Sequence, residues 1–145
     1  MSEPRLSELI HMSDDEQGVA LRVIEGMRFS EAGDYDALRS EILVSSQFMS
    51  GRVELYINAY DLDSWSEVLE ALAAGQSATW LESGRSPRLV LAPPEATESG
   101  CPEVSVYDVT GSQIHVTVPV AVEPDWIERH RQLLGEIRDR FPLPH

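Results

Sequence analysis

The chain has 145 residues, 42% of them hydrophobic and 25% charged, a size and balance that fit one globular domain over residues 1–145 with a single sizeable core. Its net charge is −14, and all 11 basic residues are Arg; phosphate backbones are repelled by such a field, so nucleic-acid binding is not expected. No run approaches the roughly 20 apolar residues of a membrane helix, the opening "MSEPRLSELIHM" lacks the basic start and apolar run of a signal peptide, and the lone Cys101 excludes an internal disulfide, so a cytoplasmic protein without membrane contact is expected.

A strand near Leu6–Met12 opens the chain, and "DDEQG" at 14–18 turns it, because Asp and Gly tolerate the backbone angles of turns. In "GVALRVIE" at 18–25, Val19, Leu21 and Val23 then alternate at period two, as in a half-buried strand. Between Asp36 and Asn58, Leu38, Ile42, Val44 and Phe48 share one parity, and Val53, Leu55 and Ile57 follow. This pattern predicts a hairpin with its turn at Ser50 and Gly51.

The stretch "DLDSWSEVLEALAAG" at 61–75 reads as a helix, with Leu62, Trp65, Val68, Leu69, Leu72 and Ala73 on one side and Asp63, Glu67 and Glu70 opposite. Asp61, Asp63 and Ser64 are candidate caps, Ser64 with Glu67 matches a capping box, and Gly75 supplies a left-handed stop. The exposed face carries acids and no base.

"SATWLE" at 77–82 and "RLVLA" at 88–92 form the next strand pair, followed by "PPEATESGCP" at 93–102, whose Pro and Gly predict an exposed, mobile loop. Val104 and Val106 alternate before a turn near 110–112, and Ile114, Val116 and Val118 after it, until Pro119 limits the pairing. A second helix begins near Pro124 and ends before Pro142, with Trp126, Ile127, His130, Leu133, Leu134, Ile137 and Phe141 as its apolar stripe. Its four acids are matched by four Arg, so its exposed side is neutral. The residues show no internal repeat. The fold class is α+β: an antiparallel sheet of hairpins packed with two amphipathic helices, one central and one C-terminal.

The four histidines, His11, His115, His130 and His145, have no metal spacing, and no phosphate loop or dinucleotide glycine pattern follows any strand. No metal and no cofactor is expected. Cys101 sits in loop residues with no base near it in sequence, and the Ser-rich "VSSQ" at 44–47 lacks a nucleophile elbow. No catalytic residue is assigned, and an enzyme is not expected.

Residues 46–80, "SQFMSGRVELYINAYDLDSWSEVLEALAAGQSATW", with the valine hairpin and "PDWIERHRQLLGEIRDRFP" at 124–142, resemble a family of small actinobacterial proteins of unknown function. The resemblance covers nearly the whole chain; it implies the fold and a bacterial source of streptomycete type, and assigns no catalytic residue. In style rather than motif the chain is also similar to small acidic immunity proteins encoded beside secreted toxins.

Three functional readings follow. The first is a non-enzymatic, acidic protein-binding module that meets a basic protein through Asp63, Glu67 and Glu70, joined by Asp14, Asp15 and Glu16. The second places a small-ligand or enzymatic pocket near Trp80, Trp126 and His130, between sheet and C-terminal helix. In the third, an exposed sheet edge or face pairs with a second copy, making a homodimer of the monomer.

Overall fold

The computed structural model describes residues 7–29 and 35–144; Leu6 of the expected first strand and His145 lie outside the described residues. Short polar turns between alternating apolar runs make each strand fold back on the one before it. Eight antiparallel strands form in this way among the described residues: β1 Ser7–Ser13, β2 Gly18–Met27, β3 Ala37–Ser45, β4 Ser50–Ile57, β5 Ala78–Trp80, β6 Arg88–Ala92, β7 Glu103–Tyr107 and β8 His115–Pro119.

The strands make two sheets of four, ordered β1-β2-β3-β4 and β5-β6-β7-β8. Helix α1, Ala59–Ala73, follows the first sheet and α2, Trp126–Arg140, follows the second. An α+β fold results, in which four meandering strands and a 15-residue helix occur twice, although the residues of the two halves show no repeat. Only Asn58 separates β4 from α1, so the chain leaves the first sheet at once and β5 starts a new one.

One contiguous core draws on both halves, joining Leu21, Ile42 and Ile57 to Trp65 and Leu69 of α1 and to Leu89, Val104 and Ile137. Each fully buried aliphatic side chain contributes about 1.5–3 kcal/mol before chain entropy is subtracted. The register of β1 on β2 slips between Glu8 and Ile10. Such a bulge turns successive side chains inward, and Leu9 and Ile10 are both fully buried. Helix α2 lies against β1 and α1 against β5, which leaves β4 and β8 as the outer strands on the far sides of the two sheets.

Two local expectations are corrected, the β3–β4 turn and the cap of α1. The β3–β4 turn is at 46–49 instead of Ser50 and Gly51: Ser46 N donates to Met49 O at 2.9 Å, and Ser46 Oγ accepts from Met49 N at 3.0 Å. A serine hydroxyl that closes its own turn outcompetes the Ser-Gly pair, which begins β4. Phe48 therefore projects from the turn and is 94% exposed.

The cap of α1 is Asn58, whose Oδ1 accepts from Asp61 N at 2.9 Å while Asp61 Oδ2 accepts from Asn58 N at 3.0 Å. This reciprocal box sits nearly two turns earlier than the Ser64–Glu67 pair. At the other end Gly75 takes φ +80° as expected, with Gly75 N donating to Leu72 O and Gln76 N to Ala71 O.

The 93–102 segment is exposed over much of its length, as expected, and local hydrogen bonds cross it. Pro94–Ala96 form a 3-10 turn, Thr97 Oγ1 donates to Cys101 O at 2.8 Å, and Ser99 Oγ donates to Glu103 at 2.9 Å.

Candidate functional site

The acids of α1 do not stand alone. Arg138 of α2 donates to Asp63 Oδ1 at 2.8 Å, and Arg131 donates to Glu70 Oε1 at 2.8 Å through one nitrogen and 3.2 Å through another. Hydrogen bonds from Arg131 to Glu70, and then to Glu128, raise the guanidinium pKa above its ordinary value. Two of the three acids expected to face a partner thus hold the helices together, and the Arg residues that looked balanced within α2 reach across to α1. Glu67 alone of the three is exposed on the outer side without such a bond among those described.

Asp14 is likewise occupied. Its Oδ1 accepts from Glu16 N at 2.8 Å and Gln17 N at 3.0 Å, and its Oδ2 accepts from Ala121 N at 2.9 Å. These donors, Ala121 first, hold its pKa below the usual carboxylate value. Gln17 Nε2 adds a bond to Pro119 O at 2.6 Å, so the β1–β2 turn clasps the exit of β8. Asp15 and Glu16 remain exposed beside it.

Trp80, Trp126 and His130 come together as a row of rings completed by Trp65. Trp65 and Trp80 lie 5.0 Å apart between centroids, Trp65 and His130 6.5 Å, and Trp126 and His130 6.3 Å, the last two edge to face. Trp80 Nε1 donates to Asp61 O at 2.9 Å and to Ser64 Oγ at 3.1 Å. Trp65 Nε1, equally buried, has no hydrogen-bond partner among the described residues.

His130 is 2% exposed, and both of its nitrogens are engaged. Nε2 accepts the main-chain N–H of His11 at 3.1 Å, so Nδ1 carries the proton and donates to Trp126 O at 2.6 Å. Burial first, aided by the charges of His11 and Arg129, lowers its pKa against the opposing bond to Trp126. A neutral imidazole here satisfies the outward N–H of an edge strand, with neither nitrogen left for a ligand.

Above the buried Trp80, a groove of about 430 Å³ opens between α1 and β5. Val68, Trp80 and Leu81 form its floor, and Asp61, Glu67 and Glu82 bring three carboxyl groups to its wall, with no Arg, Lys or His in the lining. Burial raises the Asp61 pKa, opposed by the bond from Asn58 N. Leu81 takes φ +66°, a left-handed conformation that costs a residue with a Cβ about 1–2 kcal/mol, and its side chain is buried under the groove. Sequence reasoning named Glu67 but not Glu82, because the two come from different elements and no local pattern joins them. Among the described residues, no three His, Cys, Asp or Glu side chains converge to hold a metal ion, and no helix is long and apolar enough to cross a membrane.

The model of a family of unknown function, DUF5959, matches residues 7–142. The chain belongs to this family. No curated protein matches it. The solved structure of the plant transcriptional regulator PBF-2 is similar to this DUF5959 chain with a TM-score of 0.50 and 7% identity, over 94% of this chain and 82% of that one. At that identity the likeness is one of fold, and it extends across both four-strand-and-helix halves of the DUF5959 chain.

Proposed function

We propose that the protein is an acidic binding module that seats an Arg or Lys side chain of a basic partner protein in the groove between α1 and β5. The observation that carries this reading is the lining itself: Asp61, Glu67 and Glu82 around an apolar floor, with no cation among them. A guanidinium or ammonium would lay its stem along Ala78 and Thr79, both half-buried in the lining, and place its charge among the carboxylates. Asp63 and Glu70, paired to α2, contribute to the field that steers the partner, as do Asp15 and Glu16. In this reading the partner is a regulatory target or a toxin met in the cytoplasm of an actinobacterial cell, in the manner of an immunity protein. Its support is the −14 charge and the exclusive use of Arg among the basic residues.

The ring cluster favours this over the pocket reading, since His130 is buried with both nitrogens bonded. Likeness of fold to a transcriptional regulator brings no nucleic-acid role with it, because the net charge opposes a phosphate backbone.

The test is a fluorescence-anisotropy titration of a labelled oligo-arginine peptide against three proteins: wild type, Glu67→Arg/Glu82→Arg, and Asp15→Arg/Glu16→Arg. Both variants change net charge equally. Saturable binding lost only in the groove variant is the expected result; equal weakening of both would reduce the interaction to diffuse attraction and end the groove reading.

A further inference from the structure

We propose that two copies of this chain associate through β4, antiparallel about a two-fold axis at Val53, so that their first sheets become one. This surface lies apart from the α1–β5 groove and does not depend on it.

The backbone supplies the template. β4 is an outer strand of its sheet. Ser46 N bonds Met49 O, and Ser45 then faces Ser50, Val44 faces Gly51 and Leu43 faces Arg52. Bonded and non-bonded pairs alternate along an antiparallel ladder, so Gly51, Val53, Leu55 and Ile57 direct their N–H and C=O groups at β3. Those of Ser50, Arg52, Glu54 and Tyr56 point away from the sheet. Outer strands are commonly protected by Lys, Pro or an inward-pointing charge; β4, "SGRVELYI", has no Lys or Pro, and its inward positions hold Val53, Leu55 and Ile57.

The side chains then select one register. Pairing Arg52 with its own copy, or Glu54 with its own copy, opposes like charges. Centring the pair on Val53 sets Arg52 opposite Glu54 of the second copy, twice over by symmetry, and both residues are among those whose backbone groups point outward. Within the chain these two side chains are poorly matched: Glu54 lies directly opposite Glu41, its contact to Arg39 is 3.7 Å, and Arg52 reaches Glu41 only at 3.9 Å with 73% of its side chain exposed. The same register brings Phe48, in the turn before β4, alongside the Tyr56 and Tyr60 end of the second copy, burying aromatic surface that the single chain exposes.

The experiment is sedimentation equilibrium of the full chain over a concentration series, with circular dichroism to confirm folding. The expected mass rises towards twice 16.2 kDa. Arg52→Glu and Glu54→Arg singly should each weaken association roughly tenfold, and Arg52→Glu/Glu54→Arg together should restore it, because the swapped pair is again self-complementary. In a Cys101→Ser background, Val53→Cys should cross-link on mild oxidation, since a non-bonded antiparallel pair has Cα atoms about 4.5 Å apart. Gly51→Cys should not.

A 16.2 kDa species at every concentration overturns the proposal and leaves β4 to a strand of a different protein. A dimer indifferent to both single reversals, or cross-linked at Gly51 instead of Val53, overturns it as well. Should a charge variant fail to fold, the cysteine pair tests the register by itself.

Discussion

Trp65 and Trp80 are alike in size, burial and neighbourhood, and they differ in how one proton is bonded: the Trp80 indole N–H has two acceptors and that of Trp65 has none among the described residues. Replacing either with Phe removes the same atoms, so the difference between the two losses isolates the hydrogen bonds. Trp80→Phe is expected to cost about 1 kcal/mol more than Trp65→Phe in urea unfolding. His130 offers a second residue-scale test. Its folded pKa is lowered, so the unfolded chain binds the proton more readily; the stability it contributes is full above the unfolded value near 6.5 and is lost as pH falls through the folded one. His130→Leu should cost about 1–3 kcal/mol at pH 8 by stranding the His11 N–H, and should flatten the decline in stability below pH 6.5, read from denaturation at both pH values. The sequence placed His130 on the apolar stripe of the second helix. It could not show that an edge strand's amide was waiting for it, because that amide lies 119 positions away.

Elements were legible wherever periodicity alone decides them. The buried side of α1, Leu62, Trp65, Val68, Leu69 and Leu72, follows from spacing, and so do β5, β6 and α2. Their ends were less so, since Asp61, Asp63 and Ser64 are all acceptable caps, yet the helix already starts at Ala59 and Asn58 is the one used. Asn58→Ala should therefore cost about 1 kcal/mol, whereas Asp63→Ala, breaking a half-exposed ion pair, should stay within about 0.5 kcal/mol. Thermal melts of the two variants decide between the cap seen and the caps expected. The partnership of α1 with α2 through Asp63–Arg138 and Glu70–Arg131 was beyond sequence reasoning, because charge balance within one helix says nothing of which helix each Arg prefers.

At the scale of the molecule, the repeated order of four strands and a helix is topological and leaves no trace in residue identity, so no comparison of one half with the other reveals it. Besides the common core, the α1–α2 ion pairs and the His11–His130 bond, the halves are joined by the clasp of Asp14 and Gln17 on residues 119–121. Asp14 has a lowered pKa, so its contribution is present above the unfolded value near 3.9 and is lost as pH falls through the folded one. Asp14→Ala should speed amide exchange at Ala121 at neutral pH while leaving the β3–β4 ladder protected. Unchanged exchange at Ala121 would mean that the core and the contacts of α2 hold the halves in register without the clasp.

The imidazole that covers the edge of β1 also sets a colloidal limit. As pH falls below about 6.5, the drive to protonate His130 works against its site, whose burial lowers the pKa, and the negative charge that keeps molecules apart shrinks towards zero at the isoelectric point near 4.5. Loosening of α2 then bares a strand at the moment when repulsion between chains is weakest. Mildly acid solutions should nucleate β-rich fibrils, rising in turbidity and thioflavin fluorescence, whereas alkaline solutions of equal concentration should stay clear.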